Sequence, residues 1–340
     1  MPQTAPRRVI VALILILILA AVVRTYGLRS LVFYNTDEAH FSYFVTRVAG
    51  LSPLAAEPAQ NAIANLLSWD YGWPLYTFDY LYVHALQALK IPLYEATLSL
   101  TNGIFGLLGT LLIYLLGTRF GGTFGRRKPI EISGHFIGLT AAALFGTMPV
   151  LVSFSRSMGG SESGSGTLFL LAALQMVRYY EQPERRGRDW LAGLCLGLYL
   201  CADVQVAIGG TILFLFTFLW PRPDGYEGFS GWRRLVVRWG TLLPPILLLA
   251  PYVPVYLYAI KLGYPEQTYL GTMLTEHKAD LGFHMSEFLH DLGLNVGFLP
   301  MFLAVIAAVT LRGKGDDGRL RWLLCWVGLS ALPFIVAVTQ

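Results

Sequence analysis

Long apolar runs recur from one end of this chain to the other, and they constrain its architecture more than any other feature. Residues 9–23, 97–118, 136–152, 167–180, 190–201, 204–220, 242–260, 294–311 and 322–338 are dominated by aliphatic, aromatic and small side chains. Runs of this length suit helices crossing a hydrocarbon core of roughly 30 Å, where backbone polar groups must be satisfied within helices or closed barrels. Composition agrees: 55% of the 340 residues are hydrophobic and only 14% are charged, against about 25% charged in an ordinary soluble domain. The expected fold is all-α, a polytopic transmembrane helical bundle of about nine spans forming a single domain over residues 1–340.

Basic clusters punctuate the runs and orient them. Arg7 and Arg8 precede the first run, and Arg119, Arg126, Arg127 and Lys128 follow the second. Later turns carry Arg185, Arg186 and Arg188, then Arg222, Arg233, Arg234 and Arg238, then Arg312, Lys314, Arg319 and Arg321. Cytoplasmic loops carry such an excess, so these clusters fall on one side. The net charge of +4 is then an orientation signal, and no nucleic-acid surface is expected. Arg24 follows the first run directly, without a clear small-residue cleavage site, which favours an uncleaved span over a signal peptide.

Residues 24–95 then form a long first outer loop. Within it, 75–93 make a poor span because they contain Asp79, His84, Gln87 and Lys90; a charge at mid-membrane costs roughly 2.5–3.5 kcal/mol on insertion scales. Juxtamembrane helices lying on or dipping into the interface are expected there, with Trp69, Trp73, Tyr76 and Tyr80 as an aromatic belt. Residues 159–166, Gly-Gly-Ser-Glu-Ser-Gly-Ser-Gly, read as a flexible outer turn. Pro244, Pro245, Pro251 and Pro254 predict a bend in 242–260. Residues 261–293 form a second outer loop. Cys195, Cys201 and Cys325 lie in or beside apolar runs without CxxC spacing and read as small core residues.

Sorted by side, the unusual polar residues fall together. Asp37, Glu38, His40, Asp79, His84, Arg156, Glu162 and Asp203 are all outer, as are Glu276, His277, His284 and His290. Span interiors are almost bare of ionisable groups, and no inverted repeat is visible, which weighs against a carrier working at the midplane. Chemistry or recognition is therefore expected on the outer face. Bland readings compete at each position: Asp37 and Glu38 as solvated loop acids, Arg156 paired with Glu162 or with lipid headgroups, Asp203 as a turn residue. The three histidines of the second outer loop lack i, i+4 spacing and form no convincing metal motif. Asp37-Glu38-Ala39-His40 is not a helicase box, since no GxxxxGK[ST] precedes it.

The stretch Phe33-Tyr34-Asn35-Thr36-Asp37-Glu38-Ala39-His40-Phe41 sets two carboxylates and an imidazole just beyond the first span. Behind it come Trp73-Pro74-Leu75-Tyr76, then Leu116-Gly117-Thr118-Arg119-Phe120-Gly121, then Ser155-Arg156 and Glu162. In order and sidedness, over roughly residues 1–220, this resembles the polytopic GT-C-fold glycosyltransferases that use polyprenyl-phosphate-linked sugars. It looks most like the protein O-mannosyltransferases and the lipid A aminoarabinose transferases in this order of motifs.

The resemblance implies transfer of a sugar from a polyprenyl phosphate to a hydroxyl of an acceptor protein, lipid or glycan, with inversion. It implies an active site on the non-cytoplasmic face of a plasma (inner) membrane. A carboxylate that takes the hydroxyl proton contributes typically about 10²–10⁴-fold. Asp37 is the expected base, with Glu38 beside it; Arg156, Lys90 and Arg47 are the expected phosphate ligands. His40, Trp73, Tyr76, Glu162 and Asp203 are the expected substrate contacts. No cofactor is expected, and no metal is expected to be required, although Asp37, Glu38 and His40 are able to supply ligands. Three features depart from the family: Gly72-Trp73-Pro74 stands for His-Pro-Pro, Asp203 stands where many relatives place a lysine, and the chain ends early, as if a C-terminal portion were missing. The competing class is a non-catalytic membrane protein that binds or carries a lipid-linked sugar or polyprenol.

Overall fold

A computed structural model describes residues 6–28, 73–120, 122–124, 130–156, 161–182, 187–202 and 239–263, with isolated positions at 265, 268 and 271. The acidic motif of the first outer loop, the run at 204–220, the second outer loop beyond 271 and the last two apolar runs lie outside these residues.

Helices dominate. They are α1 (Arg7–Thr25), α2 (Trp73–Ala88), α3 (Glu95–Gly117), α4 (Gly134–Thr147), α5 (Pro149–Phe154), α6 (Ser161–Glu181), α7 (Arg188–Leu200), α8 (Trp239–Leu249) and α9 (Tyr252–Leu262). A 3-10 turn at Thr118–Phe120 leads from α3 into a short antiparallel hairpin, β1 (Gly122–Phe124) and β2 (Ile130–Ile132), registered with Thr123 opposite Glu131. Three helical segments among the described residues are long and apolar enough to cross a membrane: Arg7–Thr25, Ala96–Phe120 and Trp239–Leu262. Gly134–Thr147 is apolar but shorter.

The arrangement follows from where small residues stand. On α1, Ile10, Ile14, Leu15, Ile18 and Val22 are about half exposed, and only Ala20 and Arg24 are buried. Such a helix touches the bundle along one narrow edge. The centre is α3, which packs against α1, α4 and α6; α6 continues to α7, and α7 to α8. Without a large hydrophobic gain between helices in lipid, close approach depends on small side chains. A Cβ at Gly117 would lie 2.7 Å from the Gly138 Cα of α4, and one at Gly193 of α7 would lie 2.6 Å from the Gly240 carbonyl oxygen of α8. At both crossings backbone meets backbone.

The helices depart from the sequence reading in two places and locate the expected bend in a third. The run at 136–152 is two helices, because Pro149 disfavours helical backbone at the residue before it and Met148 adopts an extended conformation (ψ 123°). The bend expected in 242–260 falls at Ala250–Pro251, while Pro244 and Pro245 stay inside α8, buried. Finally, Ser161 to Gly166 form no flexible turn: they are the first turns of α6. Glycine is a poor helix former on its own, but Gly164 fits where a Cβ would lie 2.5 Å from the Leu75 Cδ2 of α2 and 3.3 Å from Phe105 of α3. Tertiary packing overrides propensity there.

The helix α2, from the expected outer loop, is docked on the bundle through Leu75, Tyr76, Asp79, Val83 and Leu86, all buried. Leu75, Tyr76, Val83, Phe105 and Ala202 form one core cluster. Cys195 and Cys201 are buried and free, as expected of small core residues.

These contacts predict an asymmetric response to added bulk. Gly117→Val or Gly193→Val is expected to destabilise the purified protein by about 1–3 kcal/mol through overpacking. Gly166→Ala, where a Cβ meets nothing within 4 Å, is expected to leave stability equal or higher. Thermal unfolding in detergent distinguishes the two outcomes.

Candidate functional site

Breaking a helix leaves carbonyls without donors. In α4 the Phe145 carbonyl would normally accept from the N–H four residues on, but that residue is Pro149, which has none. Arg24 supplies the missing donors from the last turn of α1. Its Nη1 donates to the Gly146 carbonyl and, at 3.2 Å, to Ala20, and its Nη2 donates weakly to Phe145 at 3.4 Å. The side chain is only 1% exposed. Its Nε–H has no hydrogen-bond partner and faces α3, where a Cβ at Gly106 would lie 2.5 Å away. Only glycine admits the guanidinium there.

A second arginine converges on the same turn. Arg156, just beyond α5, donates through Nη1 to the Val23 carbonyl at 3.1 Å. Its Nη2 is buried without a partner. No carboxylate among the described residues pairs with either arginine; the ion pair seen, Arg119 with Glu181 at 2.8 Å, joins the other ends of α3 and α6. Unpaired buried charge is costly, and here the buried Arg24 and the half-buried Arg156 both bond backbone at or beside the last turn of α1.

Beside Arg24 lies a pocket of about 90 Å³, lined by Gly106, Phe145, Leu151, Ser163, Gly166 and Thr167. The Thr167 hydroxyl donates to the Phe105 carbonyl at 2.7 Å, tying α6 to α3 at the pocket wall. Ser163, Gly166 and Thr167, spaced i, i+3 and i+4, present one side face of the first two turns of α6 to the pocket. Gly166 is exposed and lines the pocket, which marks its open side. Gly106 lies about 16 Å along α3 from Gly117, at 1.5 Å per residue.

Of the residues singled out by sequence, Arg156 stands here. Glu162 is the second residue of α6, two positions before Gly164, and its side chain lies outside the described residues. Trp73 begins α2 and its backbone N–H donates to the Tyr252 hydroxyl of α9 at 3.1 Å, next to Cys201. Tyr76, 1% exposed, is a core residue in the cluster behind the pocket. Lys90 is exposed and stands past the far end of α2 from Trp73, with a left-handed backbone (φ 55°); the 16-residue helix between is about 24 Å long. Trp73 and Lys90 are therefore not brought together. Asp37, Glu38, His40, Arg47 and Asp203 lie outside the described residues. No cluster of three or more His, Cys, Asp or Glu suited to a metal occurs among the described residues.

On α2, Tyr82 donates to the Thr97 carbonyl at 2.8 Å. Burial, helped by the charge of Asp79, pushes its phenol up to about 12, so it remains a neutral donor across the physiological range.

Arg24 is the residue whose role sequence reasoning did not draw out; it served there only to favour an uncleaved first span over a signal peptide. Its signal was present: a cation in the last turn of an apolar helix, in a chain whose third run carries a proline. Comparison with known protein families gives no match, and no curated protein matches the sequence.

Arg24→Leu is expected to destabilise the fold by about 1–3 kcal/mol, the cost of leaving buried polar groups unmade. Pro149→Ala restores an N–H opposite Phe145, so the double variant is expected to lose less than the sum of the singles. Additive losses in a thermal-unfolding double-mutant cycle would contradict this capping role.

Proposed function

We propose that this chain is a membrane glycosyltransferase of GT-C architecture. It moves a sugar from a polyprenyl-phosphate donor to a hydroxyl of an acceptor protein, lipid or glycan, with inversion. On this reading the helical bundle is completed to about nine spans, sits in the plasma (inner) membrane and works on its non-cytoplasmic face. The observation that carries the reading is Arg156, a proposed phosphate ligand, held beside the last turn of α1 with a buried guanidinium nitrogen unpartnered. The acidic motif Asp37-Glu38 follows that same helix in sequence.

Asp37 takes the proton from the acceptor hydroxyl as it attacks the anomeric carbon, and Glu38 orients the acceptor. A neighbouring carboxylate and partial burial both raise a carboxyl pKa toward a useful range for a base. Arg156, with Arg47, stabilises the leaving phosphate; Lys90, past the far end of α2 from Trp73, is not part of this set. His40, Trp73, Glu162 and Asp203 are the proposed substrate contacts; Tyr76 is spent in the core.

Transfer from a polyprenyl-phosphate sugar, measured with the purified chain and a hydroxyl acceptor, is expected to fall about 10²–10⁴-fold in Asp37→Asn, with insertion and thermal unfolding unchanged. Activity retained in that variant would sink the assignment.

A further inference from the structure

We infer that the arginines gathered at the opposite end of the bundle, where α3 and α6 finish and α7 begins, form a headgroup site for an anionic phospholipid. Arg119 closes the apolar segment Ala96–Phe120, Arg178 stands in the last turn of α6, and Arg188 is the first residue of α7. The fold draws them together. Arg119 pairs with Glu181 at 2.8 Å, and Arg188 donates through Nη1 to the Arg178 carbonyl at 2.8 Å. The charges of Arg119 and Arg188 both act against that of Arg178, and Glu181 alone acts in its favour. Three guanidinium groups therefore share one carboxylate.

Helix capping explains part of this arrangement. Cations suit helix C-termini, and Arg188 answers a carbonyl in the last turn of α6. Capping does not explain Arg178. Its half-buried guanidinium makes no hydrogen bond or ion pair among the described residues, because Glu181 is bonded to Arg119. Asp189, the next acid along, sets its carboxylate against Gly240 of α8. A phosphate beside Arg178 and Arg119, whose side chain is 35% exposed, supplies the missing negative charge and accepts from planar donors.

The surroundings specify a lipid as the carrier of that phosphate. Arg119 is the last residue but one of a segment long enough to cross a membrane, which sets the cluster near headgroup level. Trp190, two residues beyond Arg188, and Trp239, the first residue of α8, are 49% and 57% exposed. Tryptophans so placed favour the boundary between membrane and water. Leu191 and Leu194 of α7 are also exposed and offer acyl chains an apolar surface that a free ion has no use for. Basic clusters between spans mark the cytoplasmic side, where anionic lipids are concentrated and basic pockets hold their headgroups. The inference is independent of the transfer reaction.

The test uses the full chain in dodecyl maltoside micelles, titrated with dioleoyl phosphatidylglycerol, dioleoyl phosphatidylcholine or inorganic phosphate and followed by thermal unfolding. Phosphatidylglycerol is expected to raise the midpoint saturably, by about 3–6 °C well above its dissociation constant. Phosphatidylcholine is expected to leave it unchanged. Arg178→Gln removes a crowded charge and breaks no side-chain hydrogen bond among the described residues, so without lipid its midpoint is expected to equal or exceed that of the wild type. Its half-saturating concentration of phosphatidylglycerol is expected to rise about ten- to a hundredfold. Arg178→Lys keeps the charge without the planar fork and is expected to fall between the two. A midpoint that phosphatidylglycerol shifts no more than phosphatidylcholine overturns the inference, whether or not inorganic phosphate shifts it. A wild-type response to phosphatidylglycerol in Arg178→Gln overturns it as well.

Discussion

The described part of this bundle depends on one guanidinium group answering one proline. Pro149 interrupts the helix begun at Gly134 and removes the donor that the Phe145 carbonyl would otherwise have. Arg24 restores donors to Phe145 and Gly146 while also bonding the Ala20 carbonyl of its own helix. That exchange fixes the height of α1 against α4, and Gly106 fixes both against α3 by leaving room for the guanidinium. Few other positions tie three helices at once. The same group that seals a helix end keeps its Nε–H without a partner, packed against the backbone of Gly106.

Around that knot the helices are held by absence of side chain as much as by presence. Gly117 against Gly138, Gly193 against Gly240 and Gly164 against Leu75 bring backbones or side chains to distances no larger residue permits. Backbone proximity of this kind suits an apolar surrounding, where burying one more leucine gains little over leaving it in lipid. Hydroxyls fill a related role. Thr110 bonds the Gly106 carbonyl at 2.8 Å, and Thr167 bonds Phe105 at 2.7 Å, so polar side chains inside the bundle are occupied locally.

What was legible in the sequence was the class of element and its approximate place. Apolar runs and basic clusters located α1, α3 and the bent α8–α9 pair, and the charges of Asp79, His84 and Lys90 set α2 apart from the apolar runs. The failures have a common physical cause. Glycine and serine at 161–166 carry a turn-like composition, and only a contact with Leu75 and Phe105, far away in sequence, makes a helix of them. The break at Met148 was hidden because one proline at the edge of an apolar run leaves its hydropathy intact. Arg24 was read for its charge and its position along the chain; its partners lie on the third apolar run, more than a hundred residues on, and no local pattern announces them. The two arginines of the site thus became a pair only in three dimensions.

The shortness of α4 has a consequence for the surrounding lipid. Its 14 residues reach about 21 Å at 1.5 Å per residue, well short of a hydrocarbon core of roughly 30 Å. In a bilayer, the depth it leaves uncovered is filled by the extended Met148, the single-turn-and-a-half α5 and the polar knot at Arg24. The adjoining leaflet thins or tilts its chains to match, drawing headgroups down toward the level of the arginines.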